Sequence, residues 1–214
     1  MILFAPSYDP ATGANLAVAQ EVATTACQCL FQEAATAEAL HTALIQSPQP
    51  LFAWSHGRPA QLLAQHGHTA ISEPVLAVLG ARQVFAFACH TATRLGQLAS
   101  QQGTVWWGYT GAIQCPDDSP AVLPLFVSIF KFLREEFSTA DTTDLRSVVI
   151  SSLAKMCEAA AFSIDDLAAS NPTMVVHEAL LCLHHLWDRL RVWAPDGAFP
   201  EHHPAASPPS LFAD

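Results

Sequence analysis

Short apolar runs alternate with helical stretches over the first two-thirds of the chain, which predicts an α/β protein: a mostly parallel sheet with helices on both faces. Runs such as Leu51-Phe52-Ala53-Trp54 and Val84-Phe85-Ala86-Phe87-Ala88 are apolar at every position, as in strands buried on both sides. From Pro120 the pattern changes to long helices, which predicts a helical C-terminal part.

The elements follow in order. Residues 2–5 form a first strand, stopped by Pro6 and the polar turn Ser7-Tyr8-Asp9-Pro10. Asn15 is placed to cap a helix running to about residue 25, with Leu16, Ala19 and Ala23 along one face. A second strand is expected over 27–31. Thr36 is the N-cap of a helix over 37–46 that turns Leu40, Ala43 and Leu44 inward, and Ser47-Pro48-Gln49-Pro50 ends it. After the strand at 51–54, the runs 62–64 and 69–71 flank a Gly-containing turn and predict a peripheral hairpin. Ser72 can cap a helix over 73–79 that Gly80 stops. The run 84–88 leads to Cys89, and 104–109 supplies one more strand. Residues 122–137 are apolar almost all round, which predicts a well-buried helix. Leu145, Val148, Val149, Ser152, Leu153, Met156 and Ala160 recur at helical spacing over 145–161. Val176, Leu180, Leu183, Trp187 and Leu190 do the same over 174–193. Five prolines mark 195–214 as an irregular, flexible tail. The expected organisation is a core over 1–138, a helical part over 139–194 packed on it, and the tail.

The 214 residues suffice for one sizeable core. A composition 51% apolar and 13% charged argues against a disordered or coiled-coil chain. Nine Lys and Arg, in no basic block, against a formal net charge of −10 give nucleic-acid binding little electrostatic support and favour cationic peptides or partners. No uninterrupted apolar run reaches membrane-spanning length, and Met1-Ile2-Leu3-Phe4-Ala5-Pro6 carries no basic region and is too brief for a signal peptide, so a cytoplasmic protein without a membrane span is expected. The six cysteines are then reduced, serving as buried apolar residues or reactive thiols.

Two strand ends carry chemistry. His56-Gly57 closes one apolar run and Cys89-His90 closes another. Reactive residues on parallel sheets gather at the carboxyl ends of strands, so His56 and Cys89 are expected to meet there. An imidazole beside a thiol can take or balance its proton and activate it as a nucleophile. Gly57 lets its backbone approach a reacting carbonyl, and the N–H groups of Gly57 and Cys89 would form an oxyanion hole. Taken singly, each signal has a plain counterpart, a histidine or cysteine packed at the margin of a core.

The runs Glu33-Ala34-Ala35-Thr36-Ala37-Glu38-Ala39-Leu40, Leu51-Phe52-Ala53-Trp54-Ser55-His56-Gly57 and Val84-Phe85-Ala86-Phe87-Ala88-Cys89-His90-Thr91-Ala92, in this order and at these separations, resemble the caspase-like CHAT cysteine peptidases of the caspase, separase and clostripain clan. The strand Val105-Trp106-Trp107-Gly108-Tyr109, a polar loop and a long apolar helix extend the likeness over about residues 1–135. The resemblance implies the caspase-hemoglobinase three-layer sandwich, with His56 as catalytic histidine and Cys89 as nucleophile in a His/Cys dyad. It implies peptide-bond cleavage through a thioester acyl-enzyme, without cofactor or metal. It also implies a basic P1 residue received by an acidic side chain in the loop after the next strand, where Asp117 and Asp118 stand and Asp118 matches better. The same carboxylates would equally offset a helix macrodipole ahead of Pro120. Stand-alone bacterial members of the family often sit in defence or cell-death systems, so the implied partners are a protein or peptide substrate, such as a gasdermin-like pore former, or an activating regulator.

A rival expectation is a non-catalytic, peptidase-like binding module whose residues 139–193 recruit a regulator. A cysteine-dependent esterase or amidase would use the same residues on a small molecule. Cys27 and Cys29 face one side of a strand and read as packing, not as a metal site. His177 and His184 share a helix face but have no clear third and fourth ligand for zinc. His66, His68 and His90 fall in loops near the proposed site, and His202-His203 in the tail. Trp106 and Trp107 read as core and rim, and Trp107 could wall a substrate pocket.

Overall fold

The computed structural model of the chain describes residues 1–115, 121–170, 176–195 and 197–208. In chain order its elements are β1 (Ile2–Ala5), α1 (Pro10–Val22), β2 (Gln28–Phe31), α2 (Ala37–Gln46), β3 (Leu51–Trp54), the short strands β4 (Gly57–Arg58), β5 (Gln61–Leu63) and β6 (Thr69–Ser72), then β7 (Gln83–Phe87), α3 (Leu95–Ser100), β8 (Val105–Tyr109), α4 (Leu123–Glu136), α5 (Thr143–Ser170), α6 (Val176–Asp188) and β9 (Leu190–Trp193). Six strands make one sheet in the order β2-β1-β3-β7-β8-β9, and β4, β5 and β6 make a small antiparallel sheet. The pairings from β2 through β8 are parallel, and β9 runs antiparallel to β8.

This order explains why both faces are covered. From β1 to β2 the chain steps one way across the sheet; from β2 to β3, β7 and β8 it steps the other way. Right-handed crossovers then place α1 on one face and α2, the small sheet and α3 on the opposite face. The buried side chains follow this division. Leu3, Phe52, Trp54, Phe85, Phe87 and Trp107 join the core of α1, α4, α5 and α6. Ile2, Phe4, Ala53, Val84, Ala86 and Trp106 join the core of α2, α3 and the small sheet. The molecule is thus an α/β protein with a mostly parallel sheet and helices on both faces.

Several elements differ from the sequence expectation, each for a local reason. Helix α1 begins at Pro10, not after Asn15: Asp9 is the N-cap, accepting from the Thr12 N–H at 2.8 Å, while the Asp9 N–H donates to the Thr12 hydroxyl at 3.1 Å. Asn15 is buried within that helix. Helix α2 is as expected, with the Thr36 hydroxyl accepting from the Ala39 N–H at 3.1 Å and Leu40, Ala43 and Leu44 buried. Residues Glu73–Val78 form a 3₁₀ segment without a side-chain cap from Ser72. Helix α3 spans only six residues, too short for a periodic apolar pattern to announce it. Helix α4 is buried on one side only, through Phe126, Val127, Ile129, Phe130 and Leu133.

Helix α5 extends to Ser170, and its inner face is Val149, Ile150, Leu153, Cys157, Ala160 and Ile164. Leu145 and Val148, expected inside, are 46% and 61% exposed. Arg146 turns inward on this rotated face and pairs with Glu201 at 2.7 Å. By length and composition alone α5 could cross a membrane, with a stretch of mean hydropathy 1.4, although charged residues such as Lys155 and Glu158 interrupt its apolar run; its inner face packs in the core. Residues 190–193 are strand rather than helix. Helix α6 ends at Asp188, and Leu-Arg-Val-Trp completes the sheet against β8, pairing Tyr109 with Leu190 and Trp106 with Trp193. The described part of the tail lacks regular structure but is pinned: Glu201 exchanges two backbone hydrogen bonds with Val192, and the Ser207 N–H donates to Asp188 Oδ1 at 2.7 Å.

Aromatic rings fill the face beneath α4. Phe130 lies 5.0 Å from the Phe87 ring, 5.8 Å from Trp54 and 6.2 Å from Phe52, all edge-on. Phe130→Ala is expected to cost about 3–5 kcal/mol, read as a lower urea midpoint with unchanged slope.

Candidate active site

Strands β3 and β7 pair Trp54 with Phe87, and the Ser55 N–H continues the ladder by donating to the Phe87 carbonyl at 3.1 Å. His56 and Cys89 each stand two residues beyond that pair, so they leave neighbouring strands at the same level. Asp9 follows β1, on the other side of β3. The strand order reverses between β1 and β3, and the carboxyl end of such a switch point is where an α/β sheet opens a crevice.

Gly57 is what allows the two strand ends to close up. A Cβ there would collide with the Cys89 carbonyl oxygen and stand only 2.6 Å from Thr91 Cγ2. Any other residue would push β3 and β7 apart at this end. On the other side, the turn after Cys89 is fixed by the Thr91 hydroxyl, which donates to the Ala88 carbonyl at 3.0 Å. His90 adopts a left-handed backbone, φ +60°, held by its N–H to the Gly111 carbonyl at 3.2 Å. Its ring Nδ1–H donates to the Thr110 carbonyl at 3.2 Å.

His56 Nε2 lies 2.7 Å from Asp9 Oδ2, with both side chains about one-third exposed, 37% and 34%. An ionised carboxylate only accepts, so Nε2 carries the proton and Nδ1 presents its lone pair when the ring is neutral. Partial burial pulls the Asp9 pKa up, but the Thr12 N–H, the Thr12 hydroxyl and the His56 ring outweigh it and hold Asp9 below the usual aspartate value. Tyr8 stands beside the pair, its ring 5.8 Å from that of His56.

Cys89 Sγ sits between the two backbone groups of Ile113: it accepts from the N–H at 3.3 Å and donates to the carbonyl at 3.4 Å. Among the described residues no hydrogen bond joins this sulfur to His56. Both side chains nevertheless line one cleft of about 300 Å³, shared with Ile113, Glu178, Leu181 and His185. Helix α6 forms the wall opposite the strand ends. Glu178 accepts from the Gln114 side-chain amide at 3.0 Å, and Arg189, at the turn after α6, donates to the Ala112 carbonyl at 2.5 Å.

The structure thus brings His56, Gly57 and Cys89 together at one sheet end. Asp117 and Asp118 lie outside the described residues. Trp107 does not wall the cleft: it is fully buried between sheet and helices, stacked on Phe85, with its N–H donating to Gln83 Oε1 at 3.3 Å. Cys29, expected as packing, is exposed on the edge strand β2. No cluster of three or more His, Cys, Asp or Glu that could hold a metal occurs among the described residues. Sequence reasoning missed Asp9, Glu178, His185 and Arg189. The Asp-Pro step directly after a strand was the signal for Asp9, since it marks both a helix cap and a strand end. The α6 residues gave no signal, because their place in the cleft depends on how α6 docks.

His185 shows the electrostatic cost of that wall. Burial, then the neighbouring Arg189 and His184, lower its pKa to about 4, and Asp188 opposes them only partly. The unfolded chain would bind this proton near pH 6.5. Stability is therefore lost as pH falls from about 6.5 towards 4. Urea midpoints measured across this range are expected to fall more steeply for the wild type than for His185→Gln.

No protein-family model matches the chain, and neither does any curated protein.

Proposed function

We propose that the protein is a cysteine endopeptidase of caspase-like fold that cleaves a protein substrate after a basic residue. The observation that carries this is the shared cleft: a histidine held by a carboxylate and a cysteine, each issuing from the carboxyl end of adjacent parallel strands. The resemblance to the CHAT peptidases, which rests on the runs ending in His56-Gly57 and Cys89, supports the same reaction class.

In the proposed reaction Cys89 Sγ turns from Ile113 towards the ring and gives its proton to His56 Nδ1. The thiolate attacks the scissile carbonyl carbon, and the carbonyl electron pair becomes an oxyanion held by the N–H groups of Gly57 and Cys89. As the oxyanion collapses, the C–N bond breaks and His56 delivers its proton to the leaving amine. Water, deprotonated by His56, then hydrolyses the thioester and restores the thiol. Asp9 keeps the Nε2 proton in place throughout and balances the imidazolium. For the basic residue, Glu178 supplies a carboxylate in the cleft wall whose amide partner Gln114 leaves its charge unneutralised, and Leu181 and Cys182 supply apolar surface for an aliphatic stem.

One observation favours a second reading, a peptidase-like binding module: the thiol is bonded to Ile113 and not to the imidazole. Alkylation separates the two. Burial raises the thiols of Cys115 and Cys157, which makes both poor competitors at neutral pH, whereas exposed Cys29, on the edge strand β2, is the competitor that peptide mapping must resolve from Cys89. Iodoacetamide followed by peptide mapping is expected to modify Cys89 first, and His56→Ala to slow that modification. Equal labelling rates with and without the imidazole would favour the binding module. With a fluorogenic peptide panel, Cys89→Ala should abolish cleavage. Glu178→Gln should lower kcat/KM for Arg and Lys peptides about tenfold while leaving Cys89 alkylation by a neutral reagent unchanged.

A further inference from the structure

We infer that Gln65 is a positioning residue that sets Asp9 against His56, acting through a brace formed by residues 63–65. This rests on His56 being the base of the proposed reaction. Gln65 is only 3% exposed, and its amide grips a residue far away in sequence. Oε1 accepts from the Ser7 N–H at 2.8 Å, and Nε2 donates to the Ser7 carbonyl at 2.9 Å. This two-point grip fixes the peptide planes on both sides of Ser7, two residues before Asp9. The remaining Nε2 hydrogen goes to Glu33 Oε1 at 3.0 Å, and the Gln65 backbone N–H donates to the Ala35 carbonyl at 2.9 Å. Both amide hydrogens are thus used, and the side-chain bonds tie two segments together, one at Ser7 and one at Glu33.

The other end of the brace holds the histidine. The Leu63 N–H donates to the His56 carbonyl at 3.0 Å, and the Leu63 carbonyl accepts from the Ser55 hydroxyl at 2.6 Å. One stretch of three residues therefore grips the chain on either side of the Asp9–His56 contact. The strain beside it belongs to the same device. His66, next to Gln65, has φ +60°, and Gln32, next to Glu33, has φ +52°. Glu33 accepts from Gln65 through one oxygen and lies 3.2 Å from His66 Nε2 through the other, which ties the two strained turns together. Were Gln65 only a packing residue, an apolar side chain of equal length would serve there as well.

The test compares Gln65→Met, which keeps the length and removes both bonds to Ser7, with Asp9→Asn and the wild type. Nitrogen NMR of the histidine rings reads the tautomer of His56, and the pH profile of Cys89 alkylation reads its effect on the thiol. In the wild type, neutral His56 is expected as the Nε2–H tautomer. Gln65→Met, with circular dichroism showing a folded chain, is expected to lose that preference and to shift the alkylation profile in the direction Asp9→Asn shifts it. If Gln65→Met does not fold, Gln65→Asn, whose shorter amide cannot reach both Ser7 groups, carries the same comparison. A folded variant of either kind with the wild-type tautomer and profile overturns the inference. The NMR arm does not need a reactive thiol: an inert Cys89 in the wild type would sink the peptidase proposal while the tautomer comparison still decides the role of Gln65.

Discussion

Strands β1, β3 and β7 pair in parallel with no register shift, so Phe4, Ala53 and Ala86 lie abreast and the chain leaves all three strands at one edge of the sheet. That register is over-determined by burial. A slip of one residue in β3 would turn Phe52 and Trp54 towards the small-residue face and Ala53 towards the aromatic one. It would also displace His56 along the strand by about 3.3 Å relative to Cys89. The packing that fixes the fold is therefore the packing that brings the reactive groups to one cleft.

The two faces of the sheet solve different problems. On the face of α1, α4, α5 and α6, rings of Phe52, Phe85, Phe87 and Trp54 stack edge and face with Phe130 and Phe137, supplying most of the large apolar surface. On the other face, Ala53, Ala86 and Ala88 are small enough for the strands of the small sheet to lie close. That closeness bears on the candidate site, because the small sheet brings Leu63 to the backbone of His56 and leads into Gln65, which holds Ser7. The C-terminal part shares the first of these cores and is tied in addition by charge and backbone. Arg146 meets Glu201, and buried Arg191 donates to the carbonyls of Asp188, Leu190 and Ser207, so α6 and its cleft-lining side chains are located by bonds to the strand and tail that follow.

The strands were legible in the sequence where burial is complete. Residues 51–54 and 84–88 are apolar throughout because both faces are covered, and α2 was legible to its cap because the Thr36 hydroxyl accepts from the first-turn N–H of Ala39. Asp9 was harder to place, since the same tetrapeptide reads as a turn and as a cap; the Thr12 hydroxyl decides for the cap. At the far end, Leu183, Trp187 and Leu190 keep a helical spacing beyond the point where the helix stops. Periodicity is a local property, whereas the place of 190–193 is set by the open edge of β8, a partner more than eighty residues earlier. The candidate site divides in the same way. His56, Gly57 and Cys89 are strand-end residues and follow from the sheet. Glu178, His185 and Arg189 enter through the docking of α6, which no short pattern encodes.

Asp9 joins the two levels. An asparagine would cap α1 about as well as an aspartate, so the cap by itself does not call for a charge. The contact with His56 does. An amide could offer the ring either its oxygen or its nitrogen, and either tautomer of the imidazole would find a partner; a carboxylate accepts through both oxygens and leaves one answer. The Thr12 bonds and the positive end of α1 favour the ionised form, so the acceptor remains a charge while the imidazole gains and loses a proton. In the proposed reaction the imidazolium forms when the thiol proton moves, beside a carboxylate that the helix has already fixed in place. No reorganisation is then required at that step, which is the sense in which the fold prepares the chemistry.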